Sequence, residues 1–153
     1  MKYSIDTSAI LDGWIRHYPP DVFPKLWDRI DELIKDGNLR ATEEVLFELE
    51  KKADEVYKWA KSKSGLFVPI DNDIQVAVAG ILAKYERLVD ARRNRSTADP
   101  FVIALAQMNS SKVVTVEQPT NNLSKPRIPD VCIDLEIQSI TLLQLVREEG
   151  WTF

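Results

Sequence analysis

Lys2-Tyr3-Ser4-Ile5-Asp6-Thr7-Ser8-Ala9-Ile10-Leu11 opens the chain as a short extended run that ends on an acid and passes, through two hydroxyl residues, into an apolar segment. In a parallel α/β sheet the carboxyl edge of the strands is where ligands and metals are held, so Asp6 is a site candidate from the outset. Outward from this stretch the same alternation recurs. Residues 9–15 read as a short helix that Pro19-Pro20 ends. Val22, Phe23, Leu26, Trp27, Ile30, Leu33 and Ile34 follow at helical spacing, and Asp36-Gly37-Asn38 stops them. Residues 39–42 predict a strand, after which Thr42 is expected to cap a helix that carries Glu43 and Glu44 in its first turn and runs to about Lys63.

Gly65 breaks that helix before an extended piece at 66–70, and Ile74, Val78, Ile81, Leu82, Tyr85 and Leu88 mark the next amphipathic helix. Ser96-Thr97-Ala98-Asp99-Pro100 is a helix start with proline in the first turn, and the nearly all-apolar surface of 101–108 predicts burial. Residues 112–116 are the clearest strand, ending at Glu117. Pro119, Pro126 and Pro129 mark a loop before Val131-Cys132-Ile133. A last strand is expected at 137–140, and Thr141 caps a final helix over 142–149 that Gly150 stops. The alternation predicts one α/β domain, a three-layer α/β/α sandwich around a mainly parallel sheet.

At 153 residues the chain can bury a core without disulfides or structural zinc. The single cysteine, Cys132, excludes an internal disulfide framework and a cysteine-rich metal site; it reads as a small core residue in a protein of a reducing compartment. No stretch has the length of a signal peptide or membrane span, so a soluble cytoplasmic protein without membrane contact is expected. The net charge of -4 argues against a protein that coats nucleic acid through bulk positive charge. It leaves a nuclease open, because bound metal can be the largest local charge in a site.

Three later acids join Asp6 at the margins of apolar segments. Glu117 follows a strand as Asp6 does, whereas Glu48 and Asp99 sit on helices flanked by core residues. Singly, each has an ordinary structural reading: a solvated helix glutamate, or an aspartate favoured at a helix start. Together they are a set of hard oxygen donors with no histidine or cysteine among them, which is what Mg²⁺ or Mn²⁺ prefers.

Tyr3-Ser4-Ile5-Asp6-Thr7-Ser8, Val45-Leu46-Phe47-Glu48-Leu49, Ala98-Asp99-Pro100-Phe101-Val102-Ile103-Ala104-Leu105-Ala106 and Val113-Val114-Thr115-Val116-Glu117 resemble, in order and spacing, the four signature segments of PIN-domain proteins. The resemblance covers nearly the whole chain. It implies a ribonuclease in which Asp6, Glu48, Asp99 and Glu117 hold one or two Mg²⁺ or Mn²⁺ ions, with Ser8 and Thr115 positioning a carboxylate. It also implies, for a chain of this size, the toxin of a toxin–antitoxin pair, an antitoxin partner and a homodimer. The family more often has Asp or Asn where this chain has Glu117.

Arg92, Arg93 and Arg95, with Arg87, precede Asp99 and would flank the cleft, where guanidinium groups engage phosphates. Lys51 and Lys52 beyond Glu48 are a weaker basic patch. His17 is the only histidine, so an acid–base pair of histidines is excluded. A phosphatase of the haloacid-dehalogenase type needs a second acid two residues after Asp6, where this chain has Ser8. The remaining alternative is a catalytically silent PIN-like module that binds a protein or RNA partner.

Overall fold

The structure, a computed structural model, describes residues 1–89 and 97–153. Five strands alternate with helices along the chain: β1 (Tyr3–Ile5), α1 (Thr7–Leu11), a π-helical continuation (Asp12–His17), α2 (Pro24–Lys35), β2 (Leu39–Thr42), α3 (Glu43–Lys52), α4 (Asp54–Lys61), β3 (Phe67–Val68), α5 (Asn72–Lys84), α6 (Asp99–Asn109), β4 (Lys112–Val114), α7 (Ile128–Asp134), β5 (Ser139–Ile140) and α8 (Leu142–Glu148). All neighbouring strands pair in parallel, in the order β3-β2-β1-β4-β5. The sheet lies between helical layers, giving the expected α/β/α sandwich.

Parallel pairing buries both faces of a strand, and β1 shows this directly: Tyr3, Ser4 and Ile5 are all buried. One face carries Ile5 and Leu39 against Ile10, Trp27, Ile30 and Leu142, from α1, α2 and α8. The other face carries Ser4, whose hydroxyl donates to the Val102 carbonyl of α6 at 2.8 Å. At the amino edge, the Tyr3 hydroxyl donates to Glu149 (2.7 Å) and Glu148 (3.3 Å), and Lys2 and Lys112 pair with the same two acids. Burial and then the hydrogen bond to Glu149 push the Tyr3 phenol well above its ordinary range. Tyr3→Phe is expected to cost about 1 kcal/mol in denaturant unfolding by loosening α8 from β1.

Several local expectations are corrected. The helix predicted from Thr42 to about Lys63 is two helices, because Ala53 is extended at φ −154°. Val45, Leu49, Val56 and Ala60 keep one helical spacing across that break, so the pattern carries no signal of it. The bend lets Trp59 close a three-ring cluster with Trp14 and Trp27, centroids 4.9 to 5.2 Å apart. Thr42 occupies the N-cap position of α3 but makes no capping bond. Val22 lies outside α2, which starts at Pro24, and is 63% exposed. Of the extended piece at 66–70 only Phe67 and Val68 join the sheet, since Pro69 has no N–H to donate. Tyr85 and Leu88 lie beyond the end of α5 yet are buried. Residues 131–133 belong to α7, and Cys132 is fully buried, as a core residue should be.

Candidate functional site

The strand order places a reversal beside β1: the chain winds outward through β2 and β3, then returns to add β4 and β5 on the other side. In open parallel sheets this switch point leaves a crevice outside the carboxyl ends of the two central strands. Asp6 follows β1 there, its N–H bonded to the Val114 carbonyl of β4, and Thr115 follows β4. Strand alternation puts Asp6 on the Ser4 face, toward α6.

Asp6 is buried, and two hydroxyls fix its carboxylate. Ser8 donates to Oδ2 at 2.5 Å and Thr115 to the same oxygen at 3.1 Å, while the two hydroxyls lie 3.3 Å apart. The Val116 N–H donates to Ser8 and the Glu117 N–H to Thr115, so the strand-end backbone holds both hydroxyls in turn. Among the described residues Oδ1 accepts no hydrogen bond, which leaves one oxygen for whatever enters the crevice.

Asp99 reaches the same edge by a different route. Val102 lies against Ser4 in the middle of β1, and α6 ends near the amino edge, where the Ser111 hydroxyl donates to the Met1 carbonyl at 2.9 Å. The first residue of α6, one turn or about 4.5 Å before Val102, therefore points back to the carboxyl edge. Asp99 is 2% exposed, so it is enclosed at the helix start. Glu48 is held from α3: Oε1 accepts from the Thr7 hydroxyl at 3.1 Å, and Oε2 pairs with Lys52 at 3.4 Å. Glu117 is turned toward α7, with Oε2 accepting the Ile128 N–H at 2.9 Å.

The charges of Glu117 and Glu48 reach Asp6. Burial pushes the Asp6 carboxyl up to about 6; Ser8 and Thr115 oppose the rise, and the negative charges of Glu117 and Glu48 add to it. Burial and Glu117 together push the Cys132 thiol up to about 12. Beside these acids Thr42 is fully buried, and its hydroxyl has no hydrogen-bond partner among the described residues. Continuing the register Ser4↔Arg40 by two places sets Thr42 next to Asp6.

Neighbouring carboxylates, oxygen-only donors and an orphan hydroxyl fit a hard divalent cation in chemical type. Their spacing is more open: among the described residues no three side chains of His, Cys, Asp or Glu are close enough to hold an ion as they stand.

The sequence profile of a family described as a domain of unknown function, DUF4411, matches residues 3–153. The chain belongs to that family. No curated protein matches the chain. The DUF4411 match runs from β1 to the last residue and so includes Asp6, Glu48, Asp99 and Glu117.

Other sequence candidates in this DUF4411 domain fall in varied places. Arg92, Arg93 and Arg95 lie outside the described residues, and Arg87 is exposed. Lys52, at the end of α3, is paired with Glu48, which weakens the basic patch read beyond Glu48. His17 ends the π-helical stretch, largely exposed and 3.2 Å from Asp12. Trp14 and Trp27 pack against Trp59. Among the described residues no helix is long and apolar enough to cross a membrane.

Two contributors were not singled out in the sequence. Thr7 holds Glu48, and Asp130 holds the loop that leaves the site. Asp130 is buried and accepts the N–H groups of Thr120, Asn121 and Arg127 and the Thr120 hydroxyl, at 2.8 to 3.0 Å. Burial raises its carboxyl, but these donors outweigh burial and hold it below the usual carboxylate range. Its signal in the sequence was the Ile128-Pro129-Asp130 start of a helix, where an acid three residues after Arg127 can reach back to the backbone.

Proposed function

We propose that this chain is a Mg²⁺- or Mn²⁺-dependent ribonuclease of PIN-like type that hydrolyses RNA phosphodiester bonds. The observation that carries the reading is the buried Asp6 at the β1/β4 switch point, held by Ser8 and Thr115 and raised first by burial and further by the charges of Glu117 and Glu48. Asp6, Glu48, Asp99 and Glu117 would hold the cation, which when bound supplies hydroxide at neutral pH and offsets charge on the leaving oxygen. Ser8 and Thr115 keep the Asp6 carboxylate oriented and favour its ionised form. Thr7 holds Glu48 at the crevice wall. The PIN resemblance extends the reading to a cytoplasmic toxin with an antitoxin partner and a homodimeric state.

A second reading, a silent PIN-like module that binds a protein or RNA partner, draws support from Glu117 and Glu48. Both already have partners, in the Ile128 N–H and in Thr7 and Lys52. Incubating a mixed RNA pool with the purified protein in Mn²⁺ and in EDTA separates the two. Cleavage in Mn²⁺ that EDTA abolishes supports the nuclease, whereas intact RNA in both supports the silent module.

Ser8→Ala removes the shortest bond to Asp6 and one of the two donors that favour its ionised form. It is expected to weaken Mn²⁺ binding about tenfold, as loss of an outer partner of a metal ligand does, and calorimetric titration reads this directly. Unchanged affinity would mean that Ser8 does not tune the site.

A further inference from the structure

A groove of about 340 Å³ opens directly beside the acids, between the exit of β4, α7 and the start of α8. Thr115 and Glu117 form its wall on the site side, and Pro119, Pro129, Ile133 and Gln144 are among the residues that line the rest. We propose that this groove is a recognition subsite for one unpaired nucleobase of the RNA strand bound at the acids; the inference rests on the ribonuclease reading and adds its specificity determinant.

Three features select a base over other occupants. The volume falls at the small end of the range for small-molecule pockets, so it suits a single planar group. The residues forming it include no lysine or arginine, so the groove offers a phosphate no cationic side chain, which a neutral ring does not need. Ile133 is 64% exposed on α7 and with the two prolines offers an apolar shelf to a ring face, as ring surfaces require in single-strand recognition.

The groove's polar groups can read a base edge. Gln144 Oε1 already accepts the Thr141 N–H at 2.8 Å, so its amide presents only donors to the groove. These donors match a ring-nitrogen or carbonyl acceptor on a base edge.

Two variants test the subsite and spare the proposed metal ligands. Ile133→Ala trims an exposed side chain. Gln144→Glu keeps the α8 capping box with Thr141 and removes the amide donor. The end sequences of a cleaved RNA pool in Mn²⁺ should show wild type preferring some bases over others at one position near the cut. Each variant should reduce that preference about tenfold. Cleavage whose base preference is the same in wild type and both variants overturns the subsite and leaves the ribonuclease standing.

In parallel, adenosine, guanosine, cytidine and uridine are titrated separately to millimolar levels into isotope-labelled wild type, observed by amide NMR. Shifts at Ile133 and the Gln144 side-chain amide support the subsite even if no RNA is cut, in which case the hydrolytic reading alone fails. No shift there with any nucleoside overturns the subsite and leaves the groove to a protein segment.

Discussion

Asp6→Asn is expected to abolish metal-dependent RNA cleavage, by about a thousandfold or more, while producing a protein more stable than wild type in EDTA at pH 7. The first effect follows from losing a charged oxygen ligand at the centre of the site, where a bound cation contributes several kcal/mol of transition-state stabilisation. The second follows from the raised carboxyl of Asp6. A carboxyl whose folded value is raised from 3.8 to about 6 contributes stability that is complete below about pH 4 and lost as the pH rises through about 6. Wild type without metal thus carries a destabilising charge at pH 7, and asparagine, neutral at every pH, relieves it while still accepting from Ser8 and Thr115. The gain is expected to be about 2 kcal/mol at pH 7 and to vanish near pH 4, as measured by denaturant unfolding at both pH values. With Mn²⁺ at about a hundred times its dissociation constant, wild type gains about 2.7 kcal/mol and the variant gains little. An Asp6→Asn protein that is less stable than wild type at pH 7 in EDTA would show that the site is not electrostatically strained.

Asp130→Ala has the largest expected cost to folding. It removes the acceptor of three backbone N–H groups and one hydroxyl, and an alanine offers them nothing in return. Leaving several donors at a buried position without partners costs about 3 kcal/mol. Because its donors hold the Asp130 carboxyl below the usual range, its contribution is present above the ordinary carboxylate range and lost as the pH falls through the folded value. The difference between wild type and Asp130→Ala should therefore shrink on acidification, opposite in sign to the Asp6→Asn comparison. The loop from Thr120 to Arg127 returns the chain to α7, whose first N–H binds Glu117. Slack in this loop should thus also reduce RNA cleavage. Asp130→Ala with wild-type stability would mean that water satisfies these donors and that the loop is not held by this carboxylate.

The layered fold was legible because each strand–helix passage carries local chemistry: Asp6 before α1, Pro100 in the first turn of α6, Thr141 at the cap of α8. The break at Ala53 was not legible, because the apolar spacing continues across it and the bend is set by the Trp14–Trp27–Trp59 cluster, a contact between distant segments. The candidate site divides the same way. Asp6, Ser8 and Thr115 are joined by bonds that strand order alone makes possible, and the sequence named all three. The partners that Glu48 and Glu117 take, in Thr7, Lys52 and the Ile128 N–H, depend on how α3 and α7 are seated, which no single segment encodes. Asp130 was passed over because its donors come from a proline-rich loop without periodicity.

The most direct test is a titration of metal-free protein with Mn²⁺, followed by calorimetry at pH 5 and pH 7, with Asp6→Asn and Asp99→Asn beside wild type. Binding by wild type that strengthens from pH 5 to pH 7, as the Asp6 carboxyl gives up its proton, and that both variants lose, is the predicted result. Folded wild type that takes up no Mn²⁺ at millimolar concentration at either pH, or variants that bind as well as wild type, would contradict a metal site at the β1/β4 crevice.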